Sequence, residues 1–188
     1  MSTTQILQDE HRIIEGVLDC LEKLAERCRA EGKLDADAGR DTIEFFRAFA
    51  DRCHHCKEET HLFPMMEQRG FSADAGPTAV MRQEHEQGRQ LVSAMADALD
   101  GASGGDAAAC GRFLQAAHGF LNLLRQHIMK ENQVLFPMAE QALTEADKTK
   151  LLAEFARVND EEIGEAERQR LMQIAASLAE RCGVAPVV

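Results

Sequence analysis

An internal repeat restricts the fold of this chain more than any other feature. Residues 54–66 read HHCKEETHLFPMM and residues 127–139 read HIMKENQVLFPMA, and seven of the thirteen positions are identical. The likeness reaches upstream: Glu10-His11 lies 43 residues before His54, and Glu84-His85 lies 42 residues before His127. Two similar halves call for a fold with internal symmetry. Each half brings one lone His and one His-x-x-x-Glu.

Gly and Pro divide the rest into long stretches of helical period. Leu7, His11, Ile14 and Leu18 share a face at spacings of four, three and four, and Gly32 stops that first stretch. The helices expected are about 4–31, 37–68, 77–100 and 106–142, with Ser2 and Gln5 as a capping box at the start and Pro77 as a first helical residue. Thr144 with Asp147, and Asn159 with Glu162, mark two further helix starts, giving about 145–158 and 160–181 before a frayed tail at 183–188. No stretch alternates as a strand does. The fold expected is all-α: an antiparallel four-helix bundle over 1–143, followed by a helical extension, 144–188, packed on the bundle or in a dimer.

On a helix, residues i and i+4 share a face with Cβ atoms about 5–6 Å apart. His54 with Glu58, and His127 with Glu131, can therefore each reach one centre together. His11 and His85 fall on the apolar stripes of the first and third helices. Four imidazoles and two carboxylates then meet inside the bundle, where burial without partners costs several kcal/mol each. A bound metal removes that cost. A single His-x-x-x-Glu is commonly a surface pair and a lone His a satisfied core residue; their duplication ahead of the same Leu-Phe-Pro favours the metal.

Neighbouring residues are placed by the same geometry. Pro64 and Pro137 should kink or end each helix just past its Glu, and Leu62, Phe63, Leu135 and Phe136 should be core. Glu58-x-x-His61 has a known ligand spacing, which makes His61 a further candidate; its repeat counterpart is Val134. His55, with Glu59, offers an alternative register, and Ile128 and Asn132 at the repeated positions decide against it. His55 is then a flanking residue and His118 lies off the ligand face. Lys57 and Lys130 read as a solvated flank, with a charge that orients a carboxylate as the alternative. Glu10 and Glu84 either hold neighbouring side chains or carry surface charge.

Composition excludes several functions. A net charge of −11 and a pI near 5.1 disfavour nucleic acid and anionic membranes as partners. The chain has no Tyr and no Trp, so tyrosyl chemistry is excluded. No secretory leader or 18-residue apolar run is present, which points to a cytoplasmic protein whose six cysteines are free thiols. Cys53-His54-His55-Cys56 points around a helix axis and cannot close on one zinc ion.

With these motifs, residues 4–141 resemble the hemerythrin-like family of His-His-Glu cation-binding domains. The resemblance implies an up-down-up-down four-helix bundle holding two non-haem iron ions, bridged by two carboxylates and an oxo or hydroxo oxygen. Carried over, the terminal ligands are His11, His54, His85 and His127, and the bridges are Glu58 and Glu131. Imidazole and carboxylate donors suit iron, with manganese as the alternative metal. Oxygen-carrying members take a fifth His from a His-x-x-x-His on the third helix, whereas here Met81 and Arg89 flank His85. An open position is therefore expected, binding dioxygen, nitric oxide or peroxide for sensing, detoxification or iron handling in a monomer or homodimer. The alternatives are catalase-like peroxide disproportionation and reversible oxygen carriage. Iron–sulfur-cluster repair proteins share this bundle but carry an added N-terminal cysteine-bearing domain. With the bundle starting near Met1, that activity is not expected.

Overall fold

The computed structural model describes residues 2–185, the side chain of Glu162 excepted. Six helical rods, and no strand, are found among the described residues. The first is α1 (Thr3–Glu31). The second joins α2 (Ala36–Phe45), wide π-helical turns at Phe46–His55 and Glu58–Leu62, and α3 (Phe63–Gln68). The third is α4 (Pro77–Ser103). The fourth joins α5 (Ala107–Lys130), a π turn at Glu131–Leu135 and α6 (Phe136–Ala142). The last two are α7 (Glu145–Arg157), running into a π turn at Val158–Ile163, and α8 (Glu165–Cys182).

Local chemistry sets most of the boundaries. Ser2 accepts the Gln5 N–H, but the Gln5 side chain donates onward to Asp9, so the expected capping box forms only in its first half. Asp35 and Asp106 cap α2 and α5 through the N–H groups of Ala38 and Ala109. Thr144 and Asp147 form the full reciprocal box on α7. Gly32 takes the left-handed conformation, φ 68°, that ends α1. α4 continues past its expected end at Asp100 because Gly101 lets α5 approach: a Cβ there would lie 2.6 Å from that of Ala109. The start expected at Asn159 is displaced. Its carbonyl instead accepts the Gly164 N–H at 2.9 Å, and α8 starts only at Glu165. Gly183 and Val184 close α8 with hydrogen bonds to Glu180 and Ala179, so fraying does not begin at 183; residues 186–188 of the expected tail lie outside the described residues.

The apolar side chains form two clusters. The larger runs through α1, α2, the first π turn, α4, α5 and α8, and includes Leu18, Phe45, Phe49, Phe113 and Leu171. Each such fully buried side chain contributes about 1.5–3 kcal/mol. The smaller holds Leu7, Leu62, Phe63, Met81, Leu135 and Phe136, with Leu151 and Phe155 of α7 packed on it. All four Leu-Phe residues of the repeat are thus core, as the sequence predicts. Each of the four long rods passes from one cluster to the other through a polar step: Leu7–His11–Ile14, Phe49–His54–Leu62, Met81–His85–Val92 and Leu124–His127–Leu135. The order reverses from rod to rod, which is the up-down-up-down arrangement. The polar steps lie at one level and form a layer between the clusters.

Candidate metal centre

The layer is built by the wide turns. In both repeats the glutamate carbonyl accepts from the residue five ahead: Phe63 N–H to Glu58, and Phe136 N–H to Glu131. A proline ring clashes with the carbonyl four residues back in an ordinary helix, and a wide turn relieves the clash. The rods therefore run through Pro64 and Pro137 to Gln68 and Ala142 instead of kinking or ending there.

All six residues expected at the centre are buried and adjacent. His11, His54, Glu58 and Glu131 offer donor atoms within 4.8 Å of one another, as do Glu58, His85, His127 and Glu131. The two carboxylates belong to both groups, the placement a bridge requires. His11 Nε2 lies 3.1 Å from Glu131 Oε2 and His54 Nε2 lies 3.6 Å from Glu58 Oε2. On the other side, His85 Nε2 lies 3.5 Å from Glu58 Oε2 and His127 Nε2 lies 3.2 Å from Glu131 Oε1.

Each ring is turned by its other nitrogen. The Nδ1–H of His54 donates to Glu10, and that of His127 to Glu84, at 3.0 and 2.9 Å. His85 donates to Glu59 at 2.7 Å and His11 to the Asn132 carbonyl oxygen at 2.9 Å. This pattern fixes the tautomer and leaves Nε2 as a lone pair, the arrangement typical of metal-bound histidines. The partners obey the repeat: Glu10 and Glu84 serve the His-x-x-x-Glu imidazole of their own half, Glu59 and Asn132 the lone His of the opposite half. Glu59 and Asn132 were visible in the sequence as aligned positions but not as partners of His85 and His11, because that pairing crosses the bundle.

The inward atoms fit a cation. His11 Nε2, His54 Nε2 and both oxygens of Glu58 and of Glu131 are buried without a hydrogen-bond partner. His85 Nε2 and His127 Nε2 face each other at 3.0 Å, a separation that needs a proton or a metal ion between the two nitrogens. Burial and the charge of Glu131 push the Glu58 carboxyl well above its usual range. Glu131 is also buried, but His127 and His11 outweigh that effect and hold it well below. Burial and the neighbouring His11 hold His54 down at about 3. Burial acts the same way on His127, yet Glu131 and Glu84 lift it to about 9. Two adjacent buried carboxylates cannot both ionise without positive charge between them. Divalent cations supply that charge, and imidazole and carboxylate are donors that iron and manganese accept.

Other sequence expectations resolve differently. His61 lies away from the centre, in a groove with Glu154 and Arg157, so its spacing from Glu58 does not place it at the metal. His118 is on the surface beside Arg29. Lys57 is not a solvated flank: it is fully buried, bonded to Glu10 and 3.5 Å from Cys53 Sγ. Lys130 makes the equivalent pair with Glu84 while 38% exposed. His55 turns inward beside His54, because a π turn rotates successive side chains by less than the about 100° of an α-helix. All six cysteines are free. A cavity of about 240 Å³, walled by Phe46, Ala50, Val92, Phe120 and Leu124, ends at His55, His85 and His127.

No helix is long and apolar enough to cross a membrane among the described residues. An uncharacterized protein of Mycobacterium tuberculosis strain H37Rv is 24% identical over 178 residues, 95% of this chain and 69% of that one. The iron-sulfur cluster repair protein YtfE of Enterobacter sp. strain 638 is 37% identical over 89 residues, 46% of this chain and 40% of its own. YtfE of Musicola paradisiaca is 41% identical over 90 residues with the same coverage. The chain thus spans well under half of the YtfE relatives. No solved structure matches significantly. The model of the hemerythrin HHE cation binding domain matches residues 2–139, and the chain belongs to that family.

Proposed function

We propose that the chain is a non-haem di-iron protein that binds a small ligand, dioxygen, nitric oxide or peroxide, at an open iron position. The observation that carries this reading is the set of six buried, unpartnered donor atoms on His11, His54, Glu58 and Glu131, extended by the facing Nε2 atoms of His85 and His127. Glu58 and Glu131 would bridge, His11 and His54 would hold one ion, and His85 and His127 the other. Bound iron would supply ligand binding and electron transfer; the chain supplies a dry, preorganised layer and Nδ1 partners that hold each ring in place. Four imidazoles and two bridging carboxylates leave positions of two six-coordinate ions unfilled by side chains. The apolar cavity admits small neutral molecules up to the edge of the layer. Similarity to proteins named for iron–sulfur cluster repair supports iron over other cations. The physiological role proposed is sensing, detoxification or iron handling.

Metal analysis of the full chain, with absorption spectra before and after azide or nitric oxide, tests this. The expected result is about two irons per chain and a ligand-dependent change in near-ultraviolet absorption. Absence of iron uptake, or bound iron indifferent to both ligands, overturns it. Steady oxygen release from added hydrogen peroxide would mark an enzyme instead.

A further inference from the structure

The centre has a fifth imidazole in reach. His55 is 7% exposed and stacks on His85 with ring centroids 3.7 Å apart and planes 15° from parallel. Donor atoms of His55, His85 and His127 lie within 4.8 Å of one another. Its Nδ1–H faces Asp51 Oδ1 at 3.3 Å, so His55 follows the pattern of the other four rings: Nδ1 on an oxygen, Nε2 released. Asp51 is itself held by Arg89 Nε at 2.9 Å, and the same guanidinium reaches Glu59, the Nδ1 partner of His85, at 2.7 Å. One arginine thus fixes the outer partners of both stacked imidazoles.

The two halves differ at this point. The repeat counterpart of His55 is Ile128, which is buried in the larger apolar cluster. Phe136 stacks on His11 and its repeat counterpart Phe63 stacks on His85, so that contact is common to both halves and the His55 ring is the one added. On α4, Met81 lies in the smaller apolar cluster and Arg89 is engaged as above, so neither neighbour of His85 supplies a ligand.

We propose that His55 is the fifth imidazole ligand of the centre, completing the His85–His127 ion from the second rod. This rests on the reading above that the layer holds two irons. It deepens that reading by making the ions unequal: three imidazoles on one, two on the other. The His55 ring stands with His85 and His127 at the inner end of the cavity.

The test compares wild type, His55→Gln, His55→Gly and His61→Ala, all as full chains loaded with ⁵⁷Fe. The readouts are Mössbauer spectra and the rate of iron loss to a chelator. Wild type is expected to show two distinct iron environments. His55→Gln, which keeps side-chain bulk, should alter one environment only and speed loss of one of the two irons tenfold or more. His55→Gly should do the same, and free imidazole, small enough for the cavity, should restore the wild-type spectrum. His61→Ala should change neither readout. Unchanged spectra and iron retention in both His55 variants overturn the proposal while leaving the di-iron reading intact. Failure of wild type to hold iron overturns the di-iron reading itself.

Discussion

Lys57 and Lys130 occupy the same position in the two repeats and make the same ion pair, yet the first is completely buried and the second is 38% exposed. The difference comes from the C-terminal helices. The π turn after α7 packs against the wide turn that carries His54, and Asn159 in it accepts from Cys53 Sγ at 3.6 Å, beside Lys57. Among the described residues Lys130 has no such cover and is 38% exposed. A symmetric sequence is thereby given unequal surroundings.

Lys57→Ala is therefore expected to destabilise the chain far more than Lys130→Ala. Removing one member of a buried pair strands the other, at about 3–5 kcal/mol, whereas an exposed pair is worth about 0–1 kcal/mol. Denaturant unfolding of the two variants measures this, and equal losses would refute the burial argument. Adding Glu10→Gln to Lys57→Ala should recover part of the loss, since the stranded charge is then gone.

Metal loading should displace protons. His127 is lifted to about 9 by Glu131 and Glu84, so it carries a proton at neutral pH before a cation binds; burial and the charge of Glu131 also raise the Glu58 carboxyl. Coordination requires the deprotonated forms, so affinity falls as pH falls and protons are released on binding. Calorimetric titration with ferrous ion in two buffers of different ionisation enthalpy reads the release. Identical heats in the two buffers would contradict it.

The face assignment separates histidines of the same type. His54→Ala and Glu131→Ala should strip the metal, because each removes a donor from the buried layer. His118→Ala should leave metal content unchanged, its ring lying outside against Arg29. Comparable loss in all three variants, measured by elemental analysis, would show that the layer does not hold the metal.

The attachment of the C-terminal helices should weaken in acid. Asp35 caps α2 and pairs with Arg181 of α8 at 2.9 Å, and Asp147 caps α7 and pairs with Arg69 at 2.8 Å. Partial burial would raise the Asp35 carboxyl, but its cap and Arg181 outweigh that; Arg69, then Thr144, pull Asp147 down. A carboxyl whose folded pKa is depressed stabilises the fold above its unfolded value of about 3.9, and that contribution is lost as pH falls through the folded value. Hydrogen exchange of α7 and α8 should thus accelerate below about pH 4. Asp35→Asn and Asp147→Asn should show fast exchange already at neutral pH; protection equal to wild type would remove these ties from the account.

The repeat and the helical period determined the four rods, their antiparallel order, the core Leu-Phe pairs and the six residues of the layer, because i, i+4 spacing alone places His and Glu on a common face. Periodicity could not show that the second and fourth rods each widen into a π turn beside Pro64 and Pro137. That widening keeps the helix going past Pro64 and Pro137, leaves His61 outside the layer and turns His55 inward. Nor could it show which oxygen meets each Nδ1, since Glu59 reaches His85 and Asn132 reaches His11 only across the packed bundle. Sequence spacing fixes direction within one helix. Contacts between helices depend on register, crossing and cover, and those were decided only when the rods packed together.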